Sequence, residues 1–308
     1  MTLICPARNE ADGIERFLQT LDEALAAQSG LYRFRVAIID DGSSDATAAL
    51  AQRYRPRHFS LIVCRLTRNF GKEAAMLAGL ARYADDANII MDVDLQHPPA
   101  LIAGMLQAWR AGARVVDAVK ADRGRESWMY RLAAANFYRL MHAFGGLALE
   151  GLSDFKLLDR EVVLLLNQLP EKTRFFRGLV QWGGFSSVRL PFEVPQRADG
   201  RSAWSVLDLA KYAARNLSAF TSAPLHLVTL LGMLTLVVSV VMGLVTLVQW
   251  FEGQAVTGFT TVILLLLFIG SMLMISLGII GFYLSRIYDE IKSRPAYVVA
   301  EESITPPD

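Results

Sequence analysis

Two carboxylates one residue apart, Asp92 and Asp94, follow the apolar run Asn88-Ile-Ile-Met91 and precede Leu95-Gln-His-Pro-Pro99. Alternation along an extended chain sends residues i and i+2 to the same side. The two acids can therefore converge on one hard cation, with the Gln96 amide as a third oxygen donor. Mg2+ or Mn2+ suits such a set, because these ions keep waters and share the phosphate oxygens of a substrate. An Asp-x-Asp pair alone is weak support, since many merely end a strand in solvent. Two earlier loops add to it: Pro6-Ala-Arg-Asn-Glu10 and Asp40-Asp-Gly-Ser-Ser-Asp45 each follow a β-rich run. Acceptors gathered there can take the N–H of a pyrimidine base and the hydroxyls of a ribose while a cation bridges a diphosphate. Read alone, the second loop is equally a turn followed by a helix cap.

The elements that must position these groups read as alternating strands and helices up to about residue 203. Ala37-Ile-Ile39, Leu61-Ile-Val-Cys64 and Asn88-Ile-Ile-Met91 are short strand runs. Ile14, Phe17, Leu18, Leu21 and Leu25 share one helical face, with Asp12 as a cap and Gly30 as a stop. Asp45 can cap the next helix, and Pro98-Pro99 can open one carrying Leu101, Met105, Leu106 and Trp109. Repeated strand and helix units joined by short loops imply an α/β class, with a doubly wound, mostly parallel sheet covered on both faces. Ligands of such sheets bind at the carboxyl ends of the strands.

Thirty-one basic against 30 acidic residues give a net charge of +1, which excludes the global basic field expected of a nucleic-acid binder. Cys5 and Cys64 lack metal or redox spacing and read as buried thiols of a reducing compartment. The first residues lack the charged region of a signal peptide, so the first domain is expected to stay in the cytoplasm. The apolar excess, 53% of residues, concentrates in Leu227–Phe251 and Phe259–Leu284. Each is about 25 residues long, enough to span a bilayer with some tilt. Lys211 and Arg215 precede the pair, Arg286, Lys292 and Arg294 follow it, and the connector Glu252–Gly258 has neither Lys nor Arg. Both outer flanks are thus expected on the cytoplasmic side of the inner membrane. The expected organisation is a catalytic domain over 1–204, an amphipathic juxtamembrane helix over 205–222, a two-helix membrane hairpin over 223–286 and a cytoplasmic tail over 287–308. A second stretch of mixed apolar and basic character, Trp128 to Phe144, fits a membrane surface or core packing equally.

Five stretches occur in a fixed order: Pro6-Ala-Arg-Asn-Glu10, Asp40-Asp-Gly-Ser-Ser-Asp45, Arg68-Asn-Phe-Gly-Lys-Glu-Ala-Ala75, Met91-Asp-Val-Asp-Leu-Gln-His-Pro-Pro99 and Ser153-Asp-Phe-Lys-Leu-Leu158. In this order the chain resembles family-2 inverting glycosyltransferases that charge polyprenyl phosphates. Bactoprenol glucosyltransferases and dolichyl-phosphate mannose synthases are the nearest types. The resemblance implies a GT-A fold, a nucleotide-sugar donor, a divalent cation (Mg2+ or Mn2+), and a polyprenyl phosphate acceptor such as undecaprenyl phosphate at a membrane. It further implies that Pro6, Arg8, Glu10 and Asp41 hold the nucleotide, that Asp92 lies on the diphosphate side, and that Asp92, Asp94 and Gln96 take the metal. Lys72 falls near the donor and Asp154 near the reacting centre, followed by the basic pair Arg174 and Arg177. Arg197, Gly200 and Ser202 match a lid ahead of the membrane. Lys120, Arg123, Arg125 and Arg131 are candidates to receive the lipid phosphate, although solvated surface charge explains each of them equally.

Lys120 and Lys156 stand where relatives commonly have Arg, and Ala203, beside Arg201, stands where they have Lys. Lys supplies charge but no bidentate fork, so Lys156 is a candidate phosphate contact whose departure leaves the sugar open. UDP-glucose is the expected donor; a modified pentose, an N-acetylhexosamine or mannose are alternatives. A processive polysaccharide synthase would show a Gln-x-x-Arg-Trp motif and more spans, and a nucleotide-sugar-binding scaffold would not need the acids intact. The oligomeric state is open, a homo-oligomer included. Asp154 could accept a proton or orient the substrate, and orientation is the favoured expectation because a lipid phosphate is already anionic at neutral pH.

Overall fold

Short, nearly continuous apolar runs, buried on both faces, give four strands, β1 (Thr2–Ala7), β2 (Phe34–Asp40), β3 (Phe59–Leu66) and β4 (Ala87–Ile90). They lie side by side and parallel in the order β4-β1-β2-β3. The computed structural model describes residues 1–120, 152–171, 175–193, 223–252 and 258–307. Helices α1 (Ile14–Ala26), α2 (Thr47–Arg53), α3 (Lys72–Tyr83) and α4 (Leu101–Arg110) alternate with these strands. The α1 face read from the sequence is wholly buried, and Ile14, Phe17, Leu18, Leu21 and Leu25 pack with Leu3, Val36, Ile38 and Leu61. On the opposite face Gly79 brings α3 close to the sheet, where an added Cβ would overlap the Ile4 side chain.

Four further strands extend the sheet: β5 (Val115–Lys120), β6 (Leu152–Asp159), β7 (Ser187–Phe192) and β8 (Val299–Thr305). The full order is β7-β5-β6-β4-β1-β2-β3-β8. Parallel pairing holds across the inner four and between β5 and β7, whereas β6 runs antiparallel to β4 and β5, and β8 antiparallel to β3. Of the eight described strands six thus point one way, as the mostly parallel sheet expected from the sequence requires, and β6 and β8 are reversed, because an apolar pattern reports burial and is silent on strand direction. Two short helices, α5 (Arg160–Gln168) and α6 (Phe176–Trp182), follow β6.

The cap assignments differ in detail. Helix α1 is entered through Gly13 with no side-chain cap, and Gly13 and Ile14 donate to the Glu10 carbonyl instead of leaning on Asp12. The same helix ends at Ala26, ahead of Gly30. Asp45 does hold the start of α2, accepting the Thr47 N–H at 3.0 Å.

The chain divides into two compact units, Met1–Leu209 with Pro295–Asp308, and Ala210–Arg294. The second contains α7 (Ala223–Phe251) and α8 (Phe259–Ile291), both long and apolar enough to cross a membrane. Residues beyond α8 rejoin the first unit. There β8 pairs with β3 from Leu61 opposite Thr305 to Leu66 opposite Val299, and Arg82 meets Glu302 at 2.6 Å. The stretch that the sequence offers only as a tail therefore closes one edge of the sheet, which would otherwise present unpaired N–H and C=O groups.

Gly42 has a φ of +62°, and a Cβ there would overlap the Arg68 carbonyl carbon and lie 2.7 Å from Arg68 Cα. Both the left-handed backbone and the approach to another main chain demand glycine. Gly42→Ala is expected to destabilise the first unit by about 2–4 kcal/mol. Thermal unfolding checks this, and an unchanged midpoint would show that the loop yields freely.

Candidate functional site

The loops after β1 and β2 are laced together at the carboxyl edge of the sheet. Asn9 N–H donates to Ser43 Oγ at 3.0 Å, Ser44 N–H to Asn9 Oδ1 at 2.9 Å, and Glu10 N–H to Thr47 Oγ1 at 2.8 Å. Asn9 reaches these partners through a left-handed backbone, φ 54°. Asp40 is fully buried beneath the second loop, where it accepts the Ser43 N–H at 3.1 Å and faces Arg65 Nε at 3.4 Å. Asp41 accepts Phe70 N–H at 2.7 Å and Gly71 N–H at 2.9 Å, so it holds the loop that opens α3. Burial raises its carboxyl above the usual range, against those two N–H groups and the charge of Arg8. A cleft of about 340 Å³ opens beside this loop, lined by Gly42, Ser43, Arg65, Leu66, Thr67, Ala300 and Glu301.

Lys72, Asp92, Asp154 and Arg177 lie outside the lining of that cleft. Lys72, the first residue of α3, sets its ammonium 2.6 Å from Asp92 Oδ1 and 2.8 Å from Asp154 Oδ2. Asp154, on β6, is gripped from the other side by Arg177 of α6, with Nε 2.6 Å from Oδ1 and Nη2 3.0 Å from Oδ2. Burial works against the Asp154 charge, yet Arg177 and Lys72 hold its carboxyl far below the usual carboxylate range. The Lys72 ammonium is likewise opposed by burial and kept raised by Asp154 and Asp92. One lysine thus joins the acid at the end of β4 to the acid of β6.

Asp94 is exposed and accepts the Gln96 N–H at 3.1 Å, across a left-handed Leu95 at φ 57°. His97 lies beneath this turn. Its Nδ1 accepts the Asp92 N–H at 3.0 Å and its ring stacks on Phe155, centroids 5.0 Å apart. Burial keeps its pKa below the usual histidine value, so the imidazole is a neutral wedge that fixes the Asp92 backbone. Two carboxylates and an amide at one turn are hard oxygen donors of the kind Mg2+ and Mn2+ take. Among the described residues no three His, Cys, Asp or Glu gather into a complete cage. An ion there would fill its shell with water and substrate phosphate, which fits the donor set.

Other candidates are placed differently. Pro6 is buried in β1, while Arg8 is exposed and Glu10 half-buried on the loop that follows. Lys156, expected as a phosphate contact, is 1% exposed and paired with Asp117 across the β5–β6 ladder. Burial lowers its pKa and Asp117 opposes this, so it serves the interior of the sheet. Lys120 ends β5. Arg123, Arg125, Arg131, Arg174, Arg197, Gly200 and Ser202 lie outside the described residues, as do the stretches 128–144 and 205–222. Two residues went unread in the sequence. Asp117 interrupts the apolar run Val115-Val-Asp-Ala-Val119, and a lone carboxylate there signals a buried partner. Glu73 directly follows Lys72 and accepts the Phe176 N–H at 3.0 Å.

Residues 2–164 match the family model described as Glycosyl transferase family 2. The chain is similar to a bactoprenol glucosyl transferase of Shigella phage SfV, 32% identical over 98% of each chain. It is also similar to an uncharacterized glycosyltransferase of Synechocystis sp., 32% identical over 98% of this chain and 95% of that one. Among solved structures it resembles glucosyl-3-phosphoglycerate synthase from Mycobacterium tuberculosis, with a TM-score of 0.48 and 19% identity over 71% of this chain and 77% of that one. The mixed sheet with acids at the ends of β2 and β4 is of the GT-A type, and the protein is a glycosyltransferase. From the first strand through β6, and along nearly all of its length in these relatives, the chain belongs to glycosyl transferase family 2.

Proposed function

We propose that the chain moves a sugar, glucose from UDP-glucose, onto the phosphate of a polyprenyl lipid such as undecaprenyl phosphate, inverting the anomeric carbon. The acceptor class rests on the relatives described as bactoprenol glucosyl transferases, which align with 97–98% of the chain. The observation that carries the site is the Lys72 bridge, which joins Asp92 to Asp154 and, through Arg177, surrounds Asp154 with two cations. Pro6, Arg8, Glu10 and Asp41 hold the nucleotide in this reading, and Asp92, Asp94 and Gln96 would hold Mg2+ or Mn2+. The ion, when bound, supplies positive charge against the departing diphosphate.

A phosphate monoester loses its second proton at about pH 6, so the lipid phosphate reaches neutral pH as a ready nucleophile. Asp154 is a poor base, since Arg177 and Lys72 hold it ionised. Its part is to fix those two cations, which meet the phosphate groups of donor and acceptor. A single displacement converts an α-linked donor into a β-linked lipid product.

The membrane reading has support beyond apolar length. Strands β1 to β7 precede the α7–α8 pair and β8 follows it, all in one sheet. If the two helices span, both ends of the hairpin emerge on the side that holds the sheet. Lys211, Arg215, Arg286, Lys292 and Arg294 flank those ends and favour the cytoplasmic face of the inner membrane.

The test is a panel of radiolabelled nucleotide sugars offered to membranes containing the protein and undecaprenyl phosphate. UDP-glucose is expected to give a labelled, organic-extractable lipid. Transfer from another nucleotide sugar alone would reassign the donor, and label in no lipid from any of them would end the proposal.

A further inference from the structure

Glu73 is half-buried at the start of α3, with Oε2 3.0 Å from the backbone nitrogen of Phe176. Lys72 beside it holds Asp154 at 2.8 Å, and Arg177, next after Phe176, holds the same carboxylate at 2.6 and 3.0 Å. One hydrogen bond therefore ties the two helix starts whose cations meet on Asp154. The described charged groups that face Glu73 are Asp154 from β6, Arg177 from α6 and Lys72 from its own helix. With Glu73 neutral, Lys72 and Arg177 balance Asp92 and Asp154; with it ionised, the cluster carries one extra negative charge that repels incoming phosphates.

We propose that Glu73 is a positioning residue of the transfer: it sets the separation of Lys72 and Arg177 around Asp154, and its protonated form leaves their charge to the phosphates of donor and acceptor. This rests on the reading of Asp154 as part of the reacting centre. Burial and the Asp154 charge push the Glu73 carboxyl up to about 7, while the Phe176 N–H, Arg177 and Lys72 pull against them. Glu73 is therefore protonated below that pH and ionised above it, so turnover should fall as pH rises through neutrality. The second ionisation of the lipid phosphate, at about pH 6, acts in the opposite sense and on the other limb.

The experiment compares wild type, Glu73→Ala, Glu73→Gln and Asp154→Asn as full-length protein in detergent, with kcat and donor KM measured from about pH 6 to about pH 9. Glu73→Ala is expected to lose about tenfold in kcat, the upper scale of one hydrogen bond between neutral groups. Glu73→Gln keeps an oxygen for the Phe176 N–H, so it should recover most of that loss and lack the decline above about pH 7. Wild-type turnover in Glu73→Ala, equal losses in both Glu73 variants, or an unchanged decline in Glu73→Gln would each overturn the inference. An inactive Asp154→Asn beside an unaffected Glu73→Ala overturns this inference alone, whereas a fully active Asp154→Asn overturns the reading of the reacting centre and Glu73's role with it.

Discussion

Asp154→Asn is expected to lower kcat by about three to four orders of magnitude, the scale reached when a carboxylate that orients a catalytic group loses its charge. The substitution keeps shape and removes one negative charge from a site where two cations converge within 3.0 Å. Arg177 then faces an amide that can accept one of its N–H groups and repels the other. Lys72 keeps Asp92, 2.6 Å away, and loses the contact that centres it between the two acids. UDP affinity should fall far less than kcat, because Lys72 keeps Asp92 and the nucleotide candidates Pro6, Arg8, Glu10 and Asp41 sit in β1 and on the loops after β1 and β2, away from Asp154 on β6. Saturating-donor turnover together with calorimetric UDP binding measures both quantities. Turnover within a few-fold of wild type would remove Asp154 from the reacting centre.

Asp94→Asn comes next in size, with metal-dependent transfer expected to fall by about two to three orders of magnitude. Asn retains an oxygen for the Gln96 N–H at 3.1 Å, so the turn survives. Asp94 is exposed, so the fold loses little and the thermal midpoint should stay put. What disappears is half of the anionic charge offered to a divalent ion at this turn. EDTA added to wild type should reproduce the loss, and added Mn2+ should reverse it in wild type more fully than in the variant. Undiminished turnover in EDTA would refute the metal role.

Much of this arrangement is legible in the sequence because it obeys local rules. The α1 face was readable from 3.6-residue spacing, and all five of its apolar residues are buried. Asp92 and Asp94 were readable as loop residues because the apolar run Asn88–Met91 ends just before them and Pro98-Pro99 follows. Strand direction was not readable, since Leu152–Asp159 has the same pattern whether it runs with β4 or against it. Nor was β8, whose Glu301 and Glu302 look like solvent-facing tail residues until Arg65 and Arg82 are found opposite them. Lys156 shows where carry-over by resemblance fails: the matched position is right for β6, and the side chain points to Asp117. Only the partner strand, distant in sequence, reveals that.

Strand β8 also imposes an order on biosynthesis. As the polypeptide leaves the ribosome, β3 is finished at Leu66, but the residues that cover its outer edge emerge only after both long apolar helices, from Val299 onward. Through that interval the nascent domain carries an adhesive flank. Closure thus waits on whatever receives the helices, and molecules stalled before that step would bear an open edge that chaperones and proteases can recognise.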